Sequence, residues 1–280
     1  MKKVLEIREM KLGEGMPKIC VPITGKNDLE LREEIAVLKT SCCDVMEWRA
    51  DYFEDIHNPE KVKEMLHELR ILVGNIPILF TCRTKEEGGE VSITSEEYAE
   101  LYRQVIETGE VDLVDTELFK GDDVCRMIIE KAHKHQVYVV MSSHDFQKTP
   151  DTGILVERFR RMQQLGADIP KIAAMPQSSM DVLKLLEATC EFADKYAEGP
   201  VISMSMGWLG GISRVSGEIF GSALTFAAAK HVSAPGQMAV SDVNYVRKLL
   251  HNGQKIKNRR NKADKELRLS DNPIPFGIVQ

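Results

Sequence analysis

The sequence has no apolar run approaching the roughly 20 residues that a membrane-spanning helix needs, so no membrane partner is expected. It opens with two lysines, in MKKVLEIREMKLGEG, but follows them with neither an apolar stretch nor a small-residue cleavage site, so no secretory leader is read there. It has six cysteines in 280 residues and no C-x-x-C pair. That is too sparse for a disulfide scaffold and lacks metal spacing, so Cys20, Cys42, Cys43, Cys82, Cys125 and Cys190 read as free thiols of a cytoplasmic protein. Basic residues are not in excess: 37 Lys and Arg face 43 Asp and Glu, a net charge of -6. A general nucleic-acid binder would be basic, so none is expected. A small anion remains an acceptable ligand, because a few arginines in a pocket set the local field.

What the chain does have is repetition. Short apolar, β-branched runs cover 18–23, 44–50, 76–83, 111–118, 137–143, 169–175, 200–206 and 222–227. Helical patterns lie between them, over 27–40, 58–73, 95–108, 121–135, 152–165, 179–197 and near 212–220, with a last helix at about 240–251. Alternating strands and helices specify a parallel sheet. About eight such units in some 250 residues fit an α/β fold of the closed (β/α)8 TIM-barrel type. The structural rival is an open doubly wound sheet; its dinucleotide-binding form lacks support, since no G-x-G-x-x-G follows the first strand. The N-terminal segment alternates around a Gly-bounded turn and is expected to form a β-hairpin closing the barrel bottom. The catalytic barrel is assigned to residues 1–252. Residues 253–280, rich in Lys, Arg, Asn and Asp, read as a polar, basic extension outside the barrel pattern, native or vector-derived.

Active sites of such barrels lie at the C-terminal ends of the strands. The polar residues there are Glu47, Arg49 and Asp51; Arg83 followed by Glu86 and Glu87; Asp115 and Glu117; Ser143, His144 and Asp145; Lys171; Arg214 in the loop GWLGGISR; and Ser233 and Gln237 in HVSAPGQM. Each has an ordinary structural explanation. Lys171 can snorkel to solvent, His144 can be a satisfied structural histidine, and Glu47 with Arg49 can form an internal ion pair. Glu86 and Glu87 can be solvated loop charges, Gly210 and Gly211 can simply shape a turn, and Met204 and Met206 read as core.

Together they support a sharper reading. A lysine in an apolar barrel has its charged form disfavoured, and a neutral amine attacks a ketone to form a Schiff base. A histidine on the neighbouring strand can shuttle protons, arginines can hold a carboxylate, and a Pro-Gly loop can act as a lid that excludes water.

The segments EWRAD (47–51), FTCRTKEEGGE (80–90), MSSHDFQKTP (141–150), GADIPKIAAMPQ (166–177) and MGWLGGISRVSGEIFGSALTF followed by SAPGQ (206–237) resemble the type I 3-dehydroquinate dehydratases (3-dehydroquinases) of the shikimate pathway. The resemblance covers about residues 1–252. It implies a metal-independent barrel, without a cofactor, that dehydrates 3-dehydroquinate to 3-dehydroshikimate in aromatic amino acid biosynthesis. Lys171 falls on the imine-forming position, His144 on the general acid/base and Glu87 on the acid behind it. Arg214 and Gln237, with Ser233, match carboxylate-binding positions, and Glu47, Arg49 and Arg83 match positions that hold ring hydroxyls and organise the pocket. A homodimer is also implied. One departure is Pro22, where the family often has a serine. Three alternatives stand beside this reading: a class I aldolase on the same fold, a barrel that binds without catalysing, and a type II dehydroquinase, which the chain length and Lys171 disfavour.

Overall fold

The computed structural model describes residues 2–231 and 233–253; most of the proposed extension lies outside them. The first elements are β1 (Leu5–Ile7) and β2 (Met10–Leu12), paired antiparallel as the expected hairpin. Eight strands then alternate with helices: β3 (Lys18–Ile23), α1 (Asp28–Leu38), β4 (Val45–Arg49), α2 (Pro59–Val73), β5 (Ile78–Thr81), α3 (Ser95–Glu107), β6 (Leu113–Glu117), α4 (Asp122–Lys134), β7 (Tyr138–Asp145), α5 (Thr152–Leu165), β8 (Ile169–Ala174), α6 (Ser179–Lys195) and β9 (Ile202–Ser205). The short helices α7 (Gly211–Val215) and α8 (Gly217–Phe220) lead to β10 (Leu224–Phe226), and residues 240–253 are helical. The single helix expected near 212–220 is thus two, divided at Ser216. In the last helix Ser241 and Asp242 fall inside the first turn.

The eight-stranded sheet has the order β10-β3-β4-β5-β6-β7-β8-β9, every ladder parallel. A parallel bridge between Val201 and Ser222 brings its two edges together, with the Ala223 N–H donating to the Val201 carbonyl at 2.8 Å. The structure is therefore the (β/α)8 barrel that the alternation predicts.

Side chains alternate across a strand, and the alternation here separates two cores. Ile19, Val21, Met46, Trp48, Ile78, Phe80, Val114, Val139, Met141 and Ile172 face outward and pack with the helices. Val45, Leu79, Leu113, Val140, Ile169, Ile202 and Leu224 face inward as an apolar floor, beneath which Leu5, Ile7 and Leu12 of the hairpin are buried. The floor makes the barrel interior solid at the bottom and leaves only its upper end for chemistry.

The bottom is also stitched by a recurring device. Asp44, Asp112 and Asp168 each stand one residue before an incoming strand and accept the backbone N–H of the previous strand, from Ile19 (2.8 Å), Ile78 (2.8 Å) and Val139 (2.9 Å). Each carboxylate also meets a side-chain nitrogen, of Arg247, of Arg8 and Arg70, and of His133 respectively. The helices α1, α2 and α3 start on side-chain caps, from Asn27, Asn58 and Thr94, the last in a full capping box with Glu97. Of the six free cysteines, Cys20, Cys82 and Cys125 are buried and Cys42 is exposed.

Candidate active site

Two residues above the floor, the inward positions change character. Glu47, Thr81, Asp115, Ser142 and Lys171 point inward from β4 to β8, with Met204 and Phe226 completing the ring from β9 and β10. One step higher stand Arg49, Arg83, Glu117, His144, Ala173 and Met206. Period two thus places a polar layer directly on an apolar one, and register does the rest: Lys171 pairs with Ser142, and His144 with Ala173, on adjacent strands.

Lys171 is 3% exposed, so it does not snorkel. Its Nζ donates to Asp115 Oδ2 at 2.8 Å and lies 4.5 Å from the centre of the Phe226 ring. Asp115 is fully buried and is held from its other side, where Oδ1 accepts from Arg83 Nη2 at 2.7 Å and from the Ser142 hydroxyl at 2.6 Å. Burial opposes its charge, but Arg83, Lys171 and these hydrogen bonds outweigh that and hold it at about 2.

Arg83 Nη1 donates to the Ser142 hydroxyl (2.9 Å) and to Glu117 (3.1 Å). Glu117 in turn accepts from the Thr84 N–H (2.9 Å) and hydroxyl (2.7 Å). Arg49 is bound bidentately by Asp51, with both bonds 2.8 Å; the pairing of Glu47 with Arg49 does not form. Glu47 Oε1 instead accepts from Thr81 Oγ1 at 2.9 Å.

His144 Nδ1 lies 2.8 Å from Glu87 Oε2, which also accepts the His144 backbone N–H at 3.1 Å. Of the two adjacent glutamates, Glu87 is buried against His144 while Glu86 is exposed near Lys120. The turn that aims Glu87 needs glycine. Gly88 has φ +79, and a Cβ there would lie 2.3 Å from the Phe146 ring. With Nδ1 engaged, the ring leaves Nε2 for other partners. Burial, then the Arg83, Lys171 and Arg49 charges, push the imidazole well below its ordinary value. Burial pushes Glu87 up to about 8, against the pull of Arg83.

The roof is the segment 233–237. The Ser233 N–H donates to Gln237 Oε1 at 2.8 Å, and Gln237 Nε2 donates to Ser233 Oγ at 2.9 Å. Gly236 has φ +77 and approaches Gly207 so closely that a Cβ would meet its carbonyl oxygen at 2.2 Å. Arg214 holds this segment from below, donating Nη2 to the Pro235 carbonyl at 2.9 Å and Nη1 to the Phe226 carbonyl at 3.4 Å. Arg214 is 2% exposed, has no acidic partner among the described residues, and its buried Nε has no acceptor. Burial alone lowers its guanidinium to about 10. A buried cation without an anion is costly, and a bound carboxylate would remove that cost.

These groups enclose one cavity of about 100 Å3, lined by all nine residues to which the resemblance assigns a role, Glu47, Arg49, Arg83, Glu87, His144, Lys171, Arg214, Ser233 and Gln237; Asp51, Glu86, Asp115, Glu117, Ser143 and Asp145, also marked at the strand ends, are not among its lining residues. Sequence reasoning undervalued Met204 and Met206, which line it too, as do Phe146 and Phe226. It also gave Asp115 no role. The available signal was that VDLVDTEL carries a carboxylate inside an apolar strand, the same anomaly as Lys171 with the opposite charge. Pro22 is buried opposite Glu47 and is not among the cavity-lining residues. Its missing N–H costs little, because it points to the β10 edge just beyond the end of that strand.

Comparison with known proteins agrees with this architecture. The family model described as type I 3-dehydroquinase matches residues 19–254. A 3-dehydroquinate dehydratase of Clostridioides difficile is 52% identical over 251 residues, covering 90% of this chain and 98% of the relative. One from Bacillus licheniformis is 48% identical over 251 residues, covering 90% and 99%. Among solved structures, the type I 3-dehydroquinate dehydratase of Clostridium difficile with covalent modified comenic acid superposes with a TM-score of 0.88 at 52% identity, covering 90% of this chain and 100% of that one. The 3-dehydroquinate dehydratase of Geobacillus kaustophilus gives 0.87 at 38% identity, covering 89% and 97%.

Proposed function

The chain belongs to the type I 3-dehydroquinase family, and from that premise we propose that it dehydrates 3-dehydroquinate through an imine on Lys171, with His144 as the general acid and base. The overall reaction is that of a 3-dehydroquinate dehydratase of the shikimate pathway, giving 3-dehydroshikimate and water. The observation that carries the mechanism is a lysine buried in the barrel beneath a histidine whose far nitrogen is fixed by Glu87.

Lys171 Nζ gives a proton to His144 Nε2 and adds to the ketone as the amine; His144 returns that proton so that the carbinolamine loses water and becomes the iminium. The iminium withdraws electrons better than the ketone did, so the proton on the adjacent carbon becomes acidic. His144 Nε2 takes that proton to give an enamine, then returns a proton to the departing hydroxyl, which leaves as water. Hydrolysis of the conjugated iminium frees the product and the lysine. Glu87 fixes the imidazole ring in each step. The C. difficile relative with covalent modified comenic acid supports a covalent mode of binding in this family.

Arg214, with Ser233 and Gln237 at the roof, binds the substrate carboxylate and closes the site over it. Glu47 and the uncommitted donors of Arg49 take ring hydroxyls. Arg83, already committed to three acceptors, organises the layer. The resemblance to the family also supports a homodimer resident in the cytoplasm.

Two results are expected. Arg214→Ala raises KM by about 10- to 100-fold, the worth of a charge-assisted hydrogen bond; an unchanged KM in a steady-state assay of 3-dehydroquinate would place the carboxylate elsewhere. The second concerns pH. Since burial and three nearby cations keep His144 neutral, the acid limb of kcat/KM falls below 6.5. Ionisation of Glu87, at about 8, then sets a negative charge against Nδ1 and makes His144 a stronger base, so activity steps up through that pH. In Glu87→Gln the step near pH 8 disappears. A step retained in that variant would assign it to another group.

A further inference from the structure

We infer that Asp115 is the counter-ion of the Lys171 iminium: the carboxylate 2.8 Å from Nζ stays paired with that nitrogen when it becomes C=N+–H. The inference rests on the Schiff-base reading above and gives a task to a buried acid that the proton transfers do not use.

The charge balance leads to it. An ammonium and a ketone become an iminium and one water: RNH3+ + O=CR2 gives RNH+=CR2 + H2O. Three N–H hydrogens become one on nitrogen and two in water, and a single positive charge stands on nitrogen before and after. A carboxylate placed to pair Lys171 at rest is therefore already placed to pair the iminium, and the one remaining N–H can donate to it without rearrangement.

The surroundings explain why a counter-ion is needed. Arg83 stands beside Asp115, and Arg49 and Arg214 line the same cavity, Arg49 paired with Asp51 and Arg214 with no acid among the described residues. Buried among these guanidinium groups, an unpaired iminium would lose its proton and become a neutral imine, a poor electron acceptor. The other acids are committed elsewhere: Glu117 to Thr84 and Arg83, Glu47 to Thr81, Glu87 to His144. Cys20, nearby in the floor, has its thiol pushed well up by burial and stays neutral. Among the described residues Asp115 alone forms an ion pair with Lys171. It is also braced against movement, since Arg83 and Ser142 hold Oδ1 while Oδ2 is left to Nζ.

The test is cyanoborohydride capture of the enzyme with 3-dehydroquinate across pH 6–9, followed by intact mass and by peptide mapping to Lys171. This reductant is slow and selective for the protonated form, so capture reads the iminium population. In the wild type, capture is expected to change little over that range. In Asp115→Asn, loss of the charge partner is expected to bring the titration of the iminium down by about three pH units, from above that range to near pH 7, so that capture falls by about tenfold between pH 6 and pH 8. A merely structural role would lower capture equally at every pH. Should Asp115→Asn fail to fold, Ser142→Ala, which leaves the carboxylate but removes one of its braces, is expected to show the same trend to a smaller extent. Identical pH profiles in the wild type and in a folded variant would overturn the counter-ion. Absence of any Lys171 adduct in the wild type would instead overturn the Schiff-base reading, and the counter-ion with it.

Discussion

Lys171→Ala is expected to reduce turnover of 3-dehydroquinate by about 10^5-fold or more, the order of loss seen when a covalent nucleophile is removed, while leaving the barrel folded. The kinetic loss is large because no other lysine lines the cavity among the described residues, and without an imine the adjacent carbon keeps the low acidity of an ordinary ketone. The fold survives because of Asp115. Removing one partner of a buried ion pair costs roughly 3–5 kcal/mol when the other is left alone. Here Asp115 keeps Arg83 and Ser142, so the cost stays below that range. Steady-state rates and a thermal melt measure the two halves separately. A folded Lys171→Ala enzyme with near-native kcat would remove the imine from the mechanism.

His144→Ala separates imine formation from proton transfer. Its expected effect is a fall in kcat of about 10^2- to 10^4-fold, the usual contribution of a general acid or base, with Lys171 still able to form an adduct. The distinction follows from register. His144 lies a layer above Lys171 on the adjacent strand, so its loss leaves the Lys171–Asp115 pair untouched. Borohydride trapping with mass detection, run beside the kinetics, should find the adduct accumulating in a protein that barely turns over. Rapid turnover by this variant would mean that another group moves the protons.

Much of this site was legible from one regularity, the period of two along each strand. It puts Glu47 with Arg49 and Asp115 with Glu117 on the inner faces, and the barrel rule sends those faces to the catalytic end; beside His144 it selects Ser142, not the Ser143 marked in the sequence, which meets Arg158 on the outer face. What period two leaves open is partnership. Glu47 and Arg49 share a face, yet Arg49 turns upward to Asp51, two residues on, because the loop after β4 presents that carboxylate in bidentate geometry. Lys171 and Asp115 lie on strands separated by β7, and only closure of the barrel shows that one neutralises the other. Met204 and Met206 look like core in the sequence because apolar barrel residues and apolar pocket walls have the same composition; their height above the floor distinguishes them. Glu86 and Glu87 differ by a single step, and the positive φ at Gly88 decides which of them turns inward.

The most direct test of the account is to incubate the wild-type protein with 3-dehydroquinate, reduce with borohydride, and map the added mass. The account predicts one adduct, on Lys171, with loss of activity in proportion to its formation. A folded, active enzyme that dehydrates 3-dehydroquinate but yields no adduct, or carries it on another residue, would contradict it.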